Sequence, residues 1–277
     1  MILSLLFFDM TFGFYIAAAV SYLIYFLFKK EWFGYTGTLL FFIGFLSNVA
    51  TLIVRAIEIH HVPFSNLYES MVFFTALVAA AYLWLEFRYK TKSVGVFVSF
   101  LIVISFFVTN LLPFRYKVYA YLNPVLQSYW LEVHVSTSFI GYAAFAISFI
   151  AALLYLAKSK WSNVAVFEAV PDASSLDNLS YKAIAWWGLP FLTIGIVTGG
   201  VWANITWGSY WSWDPKETWS LITWLIYAAY LHARVARGWK GKKAALLSIA
   251  GFLSMAFLYW GVAFILPGLH AYSETAQ

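Results

Sequence analysis

Five histidines and one tryptophan-rich stretch hold the ligand-binding chemistry of this 277-residue chain. The histidines are His60, His61, His134, His232 and His270, and the stretch runs WANITWGSYWSWDPKETW, from Trp202 to Trp219. Tryptophan favours the membrane–water interface, but five of these eighteen residues are tryptophan, more than an interfacial belt needs. Flat aromatic surfaces crowded into one loop suit a flat, apolar ligand. An imidazole on each side of a porphyrin, with indoles covering the macrocycle, is one such arrangement.

Geometry sorts the histidines. Trp219 and His232 are 13 residues apart, about 20 Å along a helix, so His232 cannot share an iron with a residue at the Trp-rich end. His134 and His270 mark the ends of apolar segments flanking the loop, and these two can meet. Plainer readings stand beside these. A histidine at a helix end also serves as an interfacial residue bonded to backbone or headgroups, and His232 also reads as a snorkelling neighbour of Arg234. The Trp-rich loop also reads as an interfacial belt. Asp214-Pro215 with Glu217 reads as a helix start with a capping box. A zinc site is not expected, since there is no cysteine, no HExxH and no acidic cluster, and adjacent His60 and His61 do not readily converge on one ion.

The elements that must position these residues are membrane helices. The chain is 63% hydrophobic, 22% aromatic and only 10% charged, too apolar for a soluble domain of this size. Eight segments approach the roughly 20 apolar residues of a spanning helix: 10–28, 35–54, 69–87, 94–112, 134–157, 183–203, 218–236 and 244–266. The alternating ten-residue pattern of a membrane barrel is absent. The expected fold class is all-α, a polytopic helical bundle of about eight transmembrane helices forming a single membrane domain over 1–277. The outer Trp-rich loop, 202–219, lies within it. Its first segment reads as a retained span rather than a signal peptide.

Orientation follows the Lys and Arg distribution. Alternate loops place thirteen of the seventeen on one side and leave Arg55, Arg115, Lys117 and Lys216 on the other. The first side is expected to be cytoplasmic, with both termini and the Trp-rich loop outside. The net charge of +5 is accounted for by this bias and implies no nucleic-acid partner. With no cysteine in the chain, any thiol chemistry must arrive on a partner.

The stretch GGVWANITWGSYWSWDPKETWSLITWLIYAAYLHAR closely resembles the signature of the CcsA (ResC) family of cytochrome c biogenesis proteins, within the haem-handling group named for its WWD domain. The upstream LDNLSYKAIAWWGLPFLTIGI resembles that family's lead-in. HVPFSNLYES is similar to an element of the first outer loop, with His60 where glycine is expected. LPGLHAY resembles the closing GLHSY, with Ala271 in place of serine.

The resemblance implies a subunit of a two-part holocytochrome c synthase of the haem–thioether lyase type. With a second integral membrane protein, CcsB (ResB), it would move haem b outward and attach it to the CXXCH motif of apocytochrome c. His134 and His270 match the two outer haem ligands, and His232 matches an intramembrane ligand whose counterpart belongs to CcsB. His61 matches a motif of unassigned role. Trp207, Trp211 and Trp213 are the candidates for the porphyrin face, while Trp202 and Trp219 would anchor the loop. Lys216 reads equally as a propionate partner or an interfacial anchor. The implied location is the bacterial inner (cytoplasmic) membrane with a periplasmic Trp-rich loop, ahead of the thylakoid membrane. The alternatives are a CcmC-like haem delivery protein, a haem transporter without attachment chemistry, and a haem-free structural subunit.

Overall fold

A computed structural model describes residues 2–117 and 126–266. Among them the chain is helical, with no strand: α1 (Ile2–Phe28), α2 (Glu31–Ile59), α3 (Leu67–Tyr89), α4 (Ser93–Leu111), α5 (Tyr129–Lys160), α6 (Ala173–Lys182), α7 (Leu189–Trp207), α8 (Pro215–Ala236), α9 (Lys242–Ala256) and α10 (Val262–Ile265). A π-helical turn, Ala183–Gly188, fuses α6 to α7, and a second, Phe257–Gly261, fuses α9 to α10. Among the described residues seven helices are long and apolar enough to cross a membrane. The chain divides into two compact units, residues 1–122 with 158–171, and residues 123–157 with 172–277.

In the first unit, two- and three-residue links make α1–α2 and α3–α4 antiparallel neighbours. Gly37 and Gly44 of α2 lie against the rings of Tyr22 and Tyr15 of α1; a Cβ there would come within 2.8 and 3.0 Å of them. Small residues thus let a membrane helix approach large rings closely. One end of the unit is tied by Arg55, whose Nε and Nη2 donate to Glu69 Oε1 at 3.1 and 3.0 Å. Arg55 Nη1 also donates to the Lys117 carbonyl at 2.9 Å. Glu69 Oε2 accepts from the N–H and hydroxyl of Ser65 at 2.9 and 2.7 Å, while Asn66 caps α3. The other end gathers the basic residues: Lys92 pairs with Glu31 at 3.1 Å, Lys29 with Glu168, and Lys158 donates to the Phe167 carbonyl.

In the second unit, α5 packs so closely on α7 and the turn before it that a Cβ on Gly141 would lie 3.0 Å from the Gly188 carbonyl and 3.1 Å from the Leu192 nitrogen. Ser148, Ser180 and Ser248 join α5, α6 and α9 through hydroxyl contacts of 2.8 Å on Ser148. The segment expected at 218–236 is α8, 22 residues or about 33 Å long, yet it is outside the seven apolar helices. The reason lies in its inner face. Lys216, Ser220, Thr223, Tyr227, Tyr230 and Arg234 recur at helical spacing, and Thr223, Tyr227 and Tyr230 are buried. Thr223 meets Ser254 at 2.8 Å, and Arg234 forms a two-pronged pair with Asp177 at 2.8 and 2.6 Å. Thr223 and Arg234, which lower the hydropathy of α8, thus find partners within the unit, while the buried hydroxyls of Tyr227 and Tyr230 have no hydrogen-bond partner among the described residues.

Candidate functional site

His134 sits in the second turn of α5, half-buried. Its Nδ1 lies 2.6 Å from the backbone carbonyl of Gly195 on α7. A carbonyl oxygen only accepts, so Nδ1 bears the proton and the lone pair resides on Nε2. That is the tautomer a metal-ligating imidazole needs, fixed by the same backbone-carbonyl device that orients metal-bound histidines. The packing leaves the ring little choice of pose. A Cβ on Gly199 would come 2.5 Å from Nδ1, and a Cβ on Gly195 would come 2.3 Å from Ser138 Oγ, one turn along α5. On the same wall the Trp202 indole, 4% exposed, lies nearly parallel to the imidazole, at 8° with centroids 6.5 Å apart.

The Trp-rich loop folds back along α7. Helix α7 runs eight residues past Gly199 to Trp207, about 12 Å, and closes on Gly208 at φ +77°, the left-handed cap glycine favours. Two residues later the Tyr210 carbonyl rests against α7, 3.2 Å from where a Cβ of Gly200 would be. The tandem Gly199-Gly200 thus admits the His134 ring on one side and the returning loop on the other. Trp207 stands edge-on to Trp202, with centroids 5.7 Å apart at 78°. Trp211 and Trp213 form a second perpendicular pair, 5.7 Å apart at 90°.

The loop joins α8 through the expected capping box. Asp214 accepts from the Lys216 N–H at 3.0 Å, and Glu217 accepts from the Asp214 N–H at 3.2 Å, with Pro215 in the first turn. Glu217 reaches further than a capping box requires and accepts from the Ser212 N–H at 2.7 Å. Between these two anchored residues, Trp213 adopts φ +60°, an outlying conformation for a bulky side chain that costs roughly 1–2 kcal/mol. Its indole is 68% exposed. Lys216, ahead of the segment expected to span, is half-buried, and burial pushes its ammonium down to about 8 against the opposing pull of Asp214.

The structure therefore brings His134 together with Trp202 and Trp207, and places Trp211 and Trp213 in the loop that returns to α8, with Lys216 in the first turn of that helix. Trp219 is set into the second unit against Phe257, with ring centroids 4.3 Å apart. His232 is exposed on α8, on the stripe with Leu225 and Ala229. It stands eighteen residues from Asp214, about 27 Å along the axis, away from the loop. His270 lies outside the described residues. His61, in the first unit, is held at Nδ1 by the Val62 carbonyl at 2.9 Å, and His60 occupies a left-handed helix cap at φ +59°. Sequence reasoning missed the role of Gly195, Gly199 and Gly200, and the contact of Trp202 with the imidazole. The signal available was the Gly195-xxx-Gly199 spacing, a small-residue face for close helix approach.

The Cytochrome C assembly protein family matches residues 64–270. The chain is 39% identical over 289 residues to the cytochrome c biogenesis protein CcsA of Guillardia theta, covering 95% of this chain and 94% of the relative. It is 37% identical over 276 residues to CcsA of Microcystis aeruginosa, covering 82% and 84%. Among solved structures, the cytochrome c heme lyase CcmF superposes with a TM-score of 0.65 at 20% identity. That likeness covers 93% of this chain but 46% of CcmF, so the chain spans about half of that protein's length and the likeness is one of fold. A family match across most of the chain, and relatives aligned over more than four fifths of both chains, make this protein a member of the cytochrome c assembly family of the CcsA kind.

Proposed function

We propose that this protein is the haem-handling subunit of a cytochrome c synthase. It receives haem b within the membrane at His232, whose second axial ligand comes from CcsB (ResB). It then presents the haem at an outer site between His134 and His270 and, with that partner, joins it to the CXXCH motif of apocytochrome c. The observation that supports this reading is the His134–Gly195 bond, which puts the proton on Nδ1 and so suits Nε2 to ligation. The exposure of His232 on α8 supports the shared intramembrane site, because a ligand completed by another subunit must face out of its own. We propose the bacterial inner membrane, with the Trp-rich loop in the periplasm, ahead of the thylakoid membrane.

Haem is the substrate here, and the residues of the chain bind and orient it. Gly195 and Gly199 hold the His134 imidazole in one tautomer and one pose. Trp207, Trp211 and Trp213 cover the porphyrin face and keep water from it, and Lys216 pairs with a propionate. In the attachment step each cysteine thiol of the apocytochrome adds across a haem vinyl group. The sulfur bonds one vinyl carbon and the thiol hydrogen goes to the other, so no external oxidant is consumed. No side chain need act as base; holding thiols and vinyl groups together makes the encounter effectively intramolecular. Release follows when the CXXCH histidine replaces one outer ligand.

Co-expression with CcsB and an apocytochrome reporter tests this directly, reading covalent haem on the reporter. His134→Ala is expected to abolish attachment and external imidazole to restore part of it. Attachment at the wild-type level in His134→Ala would overturn the reading.

A further inference from the structure

Trp213 combines two features that oppose each other on stability grounds. Its backbone is left-handed at φ +60°, and its indole is 68% exposed, so burial does not offset the conformation. The conformation is imposed from both sides by one carboxylate. Glu217 Oε2 accepts from the Ser212 N–H at 2.7 Å and from the Asp214 N–H at 3.2 Å, so both flanking residues hang on the same oxygen. The Ser212 hydroxyl lies 3.2 Å from that oxygen, and Thr218 Oγ1 donates to the Trp213 carbonyl at 3.2 Å. The Asp214 bond alone would complete the capping box. The bonds from Ser212 add nothing to the helix and act on the loop. Their product is the perpendicular Trp211–Trp213 corner, with centroids 5.7 Å apart at 90°. Two indoles at right angles offer a flat ligand one surface to lie on and one edge to abut, the two aromatic geometries of lowest energy.

We infer that Glu217 is a positioning residue that clasps Trp213 in its left-handed conformation so that the Trp211–Trp213 corner grips the porphyrin. The inference rests on the haem reading above and adds to it the group that shapes the grip. Strain retained at an exposed residue and over-determined by its neighbours marks a functional position rather than a stabilising one.

The test titrates haem into the full chain purified with its membrane partner, reads binding by absorbance, and follows thermal unfolding of the same samples. Trp213→Gly suits the backbone, since glycine adopts this conformation without a Cβ clash. Its unfolding midpoint is expected to hold or rise while haem affinity falls roughly tenfold, the scale of one lost aromatic contact. Glu217→Ala is expected to weaken haem to a similar degree with all tryptophans present. Glu217→Gln, which keeps an acceptor oxygen for both N–H groups, is expected to stay within about twofold of wild type, a small fraction of that contact. Wild-type affinity in Trp213→Gly, or a lowered unfolding midpoint there, would overturn the grip. Wild-type affinity in a folded Glu217→Ala, or a tenfold loss in a folded Glu217→Gln, would overturn the clasp. In those cases the haem reading survives, because the wild type still binds. A wild type that binds no haem at all would remove the haem reading and the grip together.

Discussion

His60 and Trp213 share one backbone conformation, φ +59° and φ +60°, and the surroundings of each show what that conformation is for. His60 ends α2 beside a fully buried ion pair: Arg55 and Glu69 are each 2% exposed, and Glu69 also gathers the backbone of the following loop. There the strain is incidental, since glycine would serve the cap better. Trp213 lies in a loop whose charged group, Glu217, is spent on holding an exposed indole in place. One region uses charge to close a helix bundle, and the other uses it to keep aromatic surface open. On the proposed reading, the difference distinguishes scaffold from site.

Breaking the scaffold is expected to have the largest effect on stability. Arg55→Ala strands the buried Glu69 carboxylate, and the expected loss is about 3–5 kcal/mol. Denaturant unfolding in detergent measures it, and the fraction that remains folded should keep a wild-type haem spectrum. A changed spectrum in that fraction would blur the distinction between the two regions.

Gly199→Ala strikes the site instead. The new Cβ would stand 2.5 Å from His134 Nδ1, an overpacking worth about 1–3 kcal/mol. The expected result is haem affinity reduced about tenfold or more on that scale, with unfolding less affected than in Arg55→Ala. Equal haem binding in the variant would mean that the imidazole pose is not what Gly199 protects.

His60→Gly removes strain that serves no site on the proposed reading. Relief of the left-handed cap should stabilise the protein by about 1 kcal/mol, with haem binding unchanged. Both glycine variants, His60→Gly and Trp213→Gly, are then expected to unfold no earlier than the wild type, and haem affinity alone separates incidental strain from functional strain.

The smallest effect expected is that of pH at Lys216. Its ammonium titrates near 8, so it is charged below that value and neutral above it. On the proposed reading a propionate pairs with it and favours the charged form, so haem affinity should fall as pH rises from 7 to 9. The loss amounts to about 0.2–1 kcal/mol, the worth of an exposed pair. The sign for folding is opposite: because burial lowers the folded-state value below the usual 10.5, this group costs stability below about 8, and the cost fades as pH rises towards 10.5. Lys216→Met should remove the pH dependence of haem affinity over this window. Persistence of the same dependence in that variant would assign it to another group.

Much of this architecture is legible in residue order. Apolar runs give the helices, and Asp214-Pro215 with Glu217 gives the start of α8 almost to the residue. Even α8, whose composition is too polar for a simple apolar span, is marked by polar residues recurring at helical spacing. The glycine expected in place of His60 has its physical reason in a left-handed cap. The His134–Gly195 bond was not legible, because a backbone carbonyl has no residue-type signature and its partner is set by the register of α5 against α7. Nor was the conformation of Trp213, since tryptophan carries no preference for left-handed backbone and the clasp spans six residues, from Ser212 to Glu217. The local signals survive in sequence, while contacts fixed by the register between helices do not.

The most direct measurement of the central claim is the oxidised and reduced absorption spectrum of haem-loaded protein beside His134→Ala, with and without added imidazole. The wild type is expected to show a six-coordinate, bis-nitrogen haem spectrum. It should weaken in His134→Ala and return when imidazole occupies the vacated position. A spectrum indifferent to His134→Ala would contradict the assignment of that imidazole as a haem ligand.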